Sequence, residues 1–238
     1  MKKETKEFFV FSYFNIIPKG LFDIKKENKE SFSEFYNYEE YVAYKCAYRA
    51  YRDLNRTLTV NKDNSEKERK EIVHGICNKI IINIKALFNQ TCDKDFNNEH
   101  HEICKKLIEC VNDESNLLKS LESETNIFSY GQAQKWINMT LKYMWLLGFL
   151  ENKIKTEYLH VPVDSYIIKA VWEKENITLP IVKKLKNGSR GAYSSEKVKS
   201  WSKWDYDDYK EFQRSLKDAL GNENRIDWEH SAWMEFAE

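Results

Sequence analysis

The chain has 238 residues, the length of one large domain or of two small domains that share a core. Hydrophobic residues make up 42% of it and aromatic residues 14%, which excludes global disorder although 32% of the residues are charged. Because 38 basic residues balance 38 acidic ones, composition predicts no general attraction to nucleic acid.

Helices are predicted along most of the first half. Seven glycines and three prolines leave long stretches without a helix breaker. After an aromatic-rich segment at 1–38, which we expect to pack onto the main body, apolar residues recur at steps of three and four. This spacing predicts helices over about 39–57, 68–89 and 98–111, with a short helix from Glu114 to Leu121. His100, His101 and Cys104 lie at helical spacing in the third helix, but no further ligand pair completes a metal site, so none is predicted.

The next helix, from about Ala133 to Leu147, has apolar residues around most of its circumference, which predicts burial among other helices. Lys135, Asn138 and Lys142 interrupt this apolar surface; they follow one another at steps of three and four and share a face. We expect this face to line a cleft. Burial in such a cleft favours the neutral, nucleophilic form of an amine.

Asp164 lies 29 positions after Lys135, behind Pro162 and at the start of another apolar run. Two readings are open. Asp164 and Ser165 are ordinary residues for capping a helix. Alternatively, the carboxylate faces Lys135 and takes part in chemistry, because a carboxylate can stabilise positive charge or activate an attacking group.

The C-terminal region combines a basic stretch with tryptophans. A short helix is predicted near 181–185, then a flexible basic loop within 183–203 that either contacts phosphates or is merely solvated. Helices follow over about 206–220, with Asp205 as cap and Gly221 as stop, and over 226–236. Aromatic side chains here either pack in the core or form the walls of a binding pocket; the candidates are Trp201, Trp204 and Trp228.

These segments together resemble the helix-hairpin-helix DNA glycosylase superfamily over roughly residues 125–175. Ser129, Tyr130 and Gly131 match the hairpin turn, Lys135 matches the catalytic lysine, and the block 163–165 matches the valine-aspartate element. The spacing is most similar to the archaeal 8-oxoguanine glycosylase branch and to divergent glycosylases of phage-defence loci. The chain departs from the family because Gly131 is the only glycine in the turn, and because its five cysteines all precede Lys135 and do not match the iron-sulfur loop of some members.

The resemblance implies a compact, all-α, multi-helix fold with a helix-hairpin-helix-like element around 115–148. The chain would be a single glycosylase-like domain over 1–238, or two helical subdomains (about 1–125 and 126–238) flanking a cleft. The implied activity is excision of a modified or damaged base from double-stranded DNA, with or without a Schiff-base lyase step, by Lys135 as nucleophile and Asp164 as stabiliser or base.

Further site residues follow from the same resemblance and from their positions along the chain. Those predicted to contact the extruded base are Gln132, Gln134, Trp136, Asn138, Lys142, Trp201, Trp204 and Trp228. Those predicted to contact DNA phosphates are Ser129, Gly131, Arg190, Lys197 and Lys199.

No cofactor and no metal are expected, and the protein is expected to act as a monomer. No apolar run reaches the ~18 residues that a membrane span needs, and the N-terminus does not resemble a signal peptide, so no membrane partner is expected. The odd number of cysteines indicates reduced thiols and a cytoplasmic location. The alternative function is a non-catalytic helical module of a bacterial defence system that binds a protein or a nucleic acid.

Overall fold

A computed structural model of the protein describes residues 8, 10, 12–28, 32–60, 65–113, 118–120, 127–175, 181–184 and 196–236. The fold is all-α, as predicted. Its helices are α1 (Lys19–Glu27), α2 (Tyr38–Leu54), α3 (Glu66–Asn83), α4 (Asp93–Asp113), α5 (Tyr130–Leu146), α6 (Ser165–Ala170), α7 (Tyr206–Leu220) and α8 (Arg225–Phe236). Single 3-10 turns lie at Asn55–Thr57, Ile84–Leu87, Thr156–Tyr158 and Trp201–Lys203, and a π turn lies at Val171–Glu175.

The three long helices predicted in the first half are confirmed, with ends within about two turns of the expected ones. Their starts follow local capping chemistry. Ser65 and Glu68 form a capping box at the start of α3, and Ser129 and Gln132 form another at the start of α5. Asp205 caps α7, which ends at Gly221 as predicted.

Two predicted helices are wrong. Residues 118–120 form a short strand, β2, which pairs in antiparallel fashion with β1 (Leu58–Val60). The helix-hairpin-helix-like element around 115–148 therefore keeps α5 as its second helix, but a strand stands within its first half. Residues 181–184 likewise form β3, which pairs with β4 (Glu196–Val198) where a helix was expected. In both segments strand pairing with a sequence-distant partner overrides the local helical pattern.

Helix α5 is the centre of the fold. It makes its most extensive interhelical contact with α2 and also packs on α4, and its start contacts the turn at Trp201–Lys203. Accordingly, 13 of its 17 residues are buried. The short helices α6 and α8 pack against each other, which brings the segment around Asp164 and the C-terminal helix to one place.

Buried apolar side chains from residue 16 to residue 232 form one continuous core. The N-terminal aromatic residues do pack onto the main body, since Phe22 contacts Tyr41 and Phe14 contacts Tyr143. All five cysteines are free thiols. Of the helices in the described part of the chain, none combines the length and the apolar character that a bilayer span requires.

Candidate active site

The structure brings Lys135 and Asp164 into direct contact. The Nζ atom of Lys135 lies 3.2 Å from Oδ2 of Asp164, and the two side chains are only 4% and 12% exposed. Lys135 projects from the first turns of α5, and Asp164 stands immediately before α6. The amine also lies 4.7 Å from the centre of the Trp201 ring, whose face stabilises a cation.

The two readings of Asp164 prove compatible, because its two carboxylate oxygens have different partners. Oδ1 accepts hydrogen bonds from the backbone N–H groups of Tyr166 at 2.9 Å and Ile167 at 3.0 Å, as a helix cap does. Oδ2 is left for Lys135. The cap holds the carboxylate in one orientation, so its free oxygen is aimed at the amine.

Both residues line a cavity of about 750 Å³, within the usual size range for small-molecule sites. Its walls come from α2, α5, α6, α8 and the N-terminal segment. Cationic side chains reach it from α2, from the 3-10 turn that follows α2, and from α5: Arg49, Arg52, Arg56, Lys135 and Lys142. Exposed apolar side chains reach it from α6 and α8: Tyr166, Trp233 and Met234, which are 36%, 38% and 59% exposed.

A second ion pair stands in the same cavity. Lys142, two turns beyond Lys135 on α5, contacts the carboxylate of Glu229 from α8. Glu229 is 2% exposed, and this burial raises its pKa. The positive charge of Lys142 lowers the pKa, whereas the negative charge of Asp164 raises it further. Two lysines and two carboxylates therefore face one water-accessible space.

A third polar cluster supports the wall near the N-terminal segment. The hydroxyl of Tyr143 donates to Asp53, which also forms an ion pair with Arg49 at 3.0 Å. Arg49 in turn lies over the Tyr13 ring, 4.1 Å from its centre, and donates to its hydroxyl. Burial, and then the charge of Asp53, raise the pKa of Tyr143, so this phenol stays protonated and acts as a donor.

Three residues predicted to contact a base are instead committed to the fold. Gln132 donates to the backbone carbonyl and hydroxyl of Thr57. Gln134 donates to the carbonyl of Gly131, and the indole of Trp136 donates to the carbonyl of Ala47. All three are fully buried and none lines the cavity. Gln134 and Trp136 point about 100° away from Lys135 around the helix. Gln132, about one turn earlier, is held by Thr57 instead.

Asn138 also faces away from the cavity. Measured around a helix from Lys135, Asn138 lies about 60° in one direction, whereas Met139 and Tyr143 lie about 40° and 80° in the other. The cavity is lined on the Met139 side. The predicted polar stripe is therefore correct for Lys135 and Lys142 and wrong for Asn138.

Asn138 belongs to a buried network of neutral groups. It accepts a hydrogen bond from His100 at 2.7 Å and donates to the Tyr209 hydroxyl at 2.8 Å. That hydroxyl is 2.6 Å from Nδ1 of His160, whose Nε2 is 2.6 Å from Asn97. Burial lowers the pKa of His100 to about 4 and holds that of His160 well below its usual value, so both imidazoles are neutral at pH 7.

The predicted tryptophan walls are not brought to the cavity surface. Trp201 is buried behind Lys135, as its contact with the amine shows. Trp204 packs on Phe212 and donates its indole N–H to the carbonyl of Lys199, and Trp228 is 6% exposed and does not line the cavity. The tryptophan that does line it is Trp233, which contacts Tyr166 edge to face.

The turn expected to bind phosphate is occupied by another part of the chain. The backbone N–H of Gly131 donates to the carbonyl of Trp204 at 3.0 Å, and the hydroxyl of Ser129 donates to the carbonyl of Ser202. A Cβ atom on Gly131 would lie 1.9 Å from the Trp201 carbonyl oxygen. The glycine is therefore explained by backbone packing, and neither Gly131 nor Ser129 presents a free donor for a DNA phosphate.

The predicted basic loop is only partly described. Lys199 forms ion pairs with Asp205 at 3.3 Å and with Asp208, so its charge is already neutralised. Lys197 lies in β4, and Arg190 lies outside the described residues.

Across the described residues, no group of three or more histidine, cysteine or acidic side chains is arranged to hold a metal ion. His100 and Cys104 belong to the neutral network, and His101 stacks on Tyr206 with ring centres 3.6 Å apart.

Sequence reasoning missed Arg52, Arg56, Tyr143, Glu229 and Trp233 as cavity residues. A signal existed for the arginines, since Arg49, Arg52 and Arg56 recur at steps of three and four near the end of α2. Glu229 carried no such signal, because its meeting with Lys142 depends on how α8 docks.

In comparison with known proteins, no family model, no curated protein and no solved structure matches the chain.

Proposed function

We propose that the protein is a DNA glycosylase that removes a modified or damaged base from double-stranded DNA and acts as a lyase through Lys135. One observation supports this above the others. An amine and a carboxylate, 29 positions apart in the chain, stand 3.2 Å apart in the wall of a cavity of about 750 Å³. This is the pair of groups that the resemblance to helix-hairpin-helix glycosylases implies.

The pair suits the chemistry of base excision. Positive charge develops at C1′ of the sugar as the glycosidic bond breaks, and the carboxylate of Asp164 stabilises it. In the lyase reaction the unprotonated Nζ of Lys135 forms a bond to C1′, while the pair of electrons of the glycosidic bond leaves with the base, which takes up a proton. The proton lost from the amine passes to Asp164 Oδ2 or to water.

The C1′–O4′ bond then breaks and O4′ takes up a proton, which leaves a Schiff base between Nζ and C1′. Loss of a proton from C2′ to a base forms a C2′–C3′ double bond and breaks the C3′–O bond, so that the 3′ phosphate leaves with that pair of electrons. Asp164 suits the role of proton acceptor because its other oxygen is fixed by the cap of α6, which keeps Oδ2 aligned with the amine.

The cavity also suits a base that has left the stack. An extruded base needs apolar surfaces for stacking and hydrogen-bonding groups for recognition. Tyr166, Trp233 and Met234 supply apolar surface, while the Lys142 and Glu229 pair supplies a donor and an acceptor. In this proposal Lys142 retains its predicted substrate-binding role, and Trp233 takes the stacking role predicted for Trp201, Trp204 and Trp228.

Borohydride trapping tests the proposal. Duplexes carrying oxidised guanine, phage-type modified cytosines or an abasic site are incubated with the protein and reduced, and covalent complexes are counted on a denaturing gel. We expect trapping on at least one duplex and its loss in Lys135→Gln, whose amide keeps a hydrogen-bond donor for Asp164. Lys153→Gln, at an exposed ion pair with Glu39, is the matched control and retains trapping.

The competing function is the non-catalytic helical module. It is favoured by the way Lys135 and Asp164 satisfy each other, since a buried ion pair next to a helix cap is also a structural arrangement. Absence of both trapping and alkali-labile sites on every duplex would favour this function instead. Alkali-labile sites without trapping, lost in Asp164→Asn, would indicate a glycosylase without the lyase step.

A further inference from the structure

Two arginines at the mouth of the cavity have no charged partner. Arg52 lies in the last turn of α2 and Arg56 in the 3-10 turn that follows, and both are exposed and line the cavity that contains Lys135 and Asp164. Neither forms an ion pair with any described residue. Arg49, one turn earlier, differs because Asp53 and Tyr13 already bind it.

The nearby carboxylates are all engaged elsewhere. Asp53 binds Arg49 and Tyr143, Asp164 binds Lys135, and Glu229 binds Lys142. The guanidinium groups of Arg52 and Arg56 therefore keep their donors for a ligand. Their place at the C-terminal end of α2 stabilises positive charge, but that effect uses none of these donors.

We propose that Arg52 and Arg56, together called the arginine lip, bind backbone phosphates of the DNA strand whose nucleotide enters the cavity. This inference rests on the proposed function. One guanidinium group can bind two oxygens of a phosphate through two parallel hydrogen bonds. Four residues of helix span roughly 6 Å, which matches about two nucleotide steps of one strand at roughly 3.4 Å of rise each.

The lip replaces the phosphate contacts that were expected elsewhere. The donors of Ser129 and Gly131 are used by the backbone of residues 202 and 204, and Lys199 is held by two aspartates. It also gives a protein of zero net charge a local attraction for DNA at the point where a base must enter.

The test is a salt titration of binding, followed by fluorescence anisotropy. The probe is a labelled duplex with a tetrahydrofuran abasic-site analogue, which has no base to excise and so measures binding alone. The variant is the double substitution Arg52→Gln and Arg56→Gln, at two exposed positions. The control is Lys106→Gln with Arg214→Gln, which removes the same charge from exposed positions on α4 and α7 that do not line this cavity.

Each phosphate contact adds roughly 0.9 to the slope of log affinity against log salt. We therefore expect the lip variant to lose about two units of slope and to bind roughly 10- to 100-fold more weakly at 0.1 M salt, while the control keeps the slope of the unaltered protein. An unchanged slope, an equal loss in the control, or no binding by the unaltered protein would overturn the lip.

The binding readout separates this inference from the catalytic one. If trapping fails on every duplex while the slope falls only in the lip variant, the lip stands and the excision chemistry fails. A second outcome supports both proposals. In it, trapping occurs, and the lip variant needs a higher duplex concentration for half-saturation than the unaltered protein but has the same rate constant at saturating duplex. Trapping with an unchanged slope supports the chemistry and refutes the lip.

Discussion

Two faces of α5 carry polar side chains and use them in different ways. On the cavity face, Lys135 and Lys142 each contact one carboxylate, and both border space that water can enter. On the face toward α4 and α7, Asn138 is 1% exposed and bonds to His100, Tyr209, Gln134 and the carbonyl of Val161.

The difference shows how a polar residue in an apolar helix is to be interpreted. A neutral group whose donors and acceptors are all used stabilises one arrangement of the core. A charged group with a single partner beside a cavity can exchange that partner for a ligand. Both kinds appear as polar interruptions in the sequence of α5, so only their partners distinguish them.

The largest effect is expected on the cavity face. Replacing Asp164 with Asn keeps a side chain that caps helices but removes the negative charge beside Lys135. We expect single-turnover base excision to fall by about 10²–10⁴-fold. The measurement is made below the melting temperature of the variant, determined by circular dichroism. A rate within a few-fold of the unaltered protein would remove Asp164 from the chemistry.

The neutral face predicts a loss of stability in acid. The pKa of His100 is lowered to about 4 by burial, so between about 6.5 and 4 the unfolded chain binds a proton that the folded protein does not. Stability therefore falls as the pH decreases through this window, by about 3 kcal/mol for this group alone. His160 adds a loss of the same sign.

Urea unfolding at pH 7, 6, 5 and 4 measures this loss. His100→Gln, which keeps a donor for Asn138, should flatten the dependence, whereas the same substitution at the exposed His230 should not. An equally steep dependence in His100→Gln would contradict the assignment.

Asn138→Ala tests the difference between the faces directly. It removes the acceptor of His100 and one donor to Tyr209, and leaves these buried groups without that partner. We expect a loss of about 1–3 kcal/mol in the free energy of unfolding, measured by urea titration. Base excision at a temperature where the variant is folded should stay unchanged. A strong loss of activity in the folded variant would place Asn138 in the active site after all.

A matched pair of glycines gives the last comparison, and the change at Gly75 is the smallest effect expected. Gly131→Ala places a methyl group against the Trp201 carbonyl, at a distance of 1.9 Å that requires the backbone to move, and we expect a loss of about 1–3 kcal/mol. Gly75→Ala in α3 meets no atom within 4 Å, and we expect a gain of about 0.5–1 kcal/mol. Thermal unfolding of both variants gives the comparison, and equal melting temperatures would contradict it.

Much of the fold follows from the sequence because periodicity and capping are local. The spacing of apolar residues predicted α2, α3, α4, α5, α7 and α8, and the residues at Ser129 and Asp205 set where two of them begin. The contact of Lys135 with Asp164 was one of two readings that the residues left open, and the resemblance to helix-hairpin-helix glycosylases implied it. The strands at 118–120 and 181–184 were not predicted, since their partners, at 58–60 and 196–198, lie in other segments of the chain.

By itself, the sequence determined that the protein is helical, that α5 is central, and that one lysine and one aspartate stand at adjacent helix starts. Tertiary structure alone decided which neighbours share the cavity with them. Helix docking brought Arg52, Glu229 and Trp233 there and turned Asn138 toward a saturated network. The reason is physical. A local pattern specifies which side of a helix is polar, but the groups that form hydrogen bonds or ion pairs with each polar side chain come from other segments of the chain.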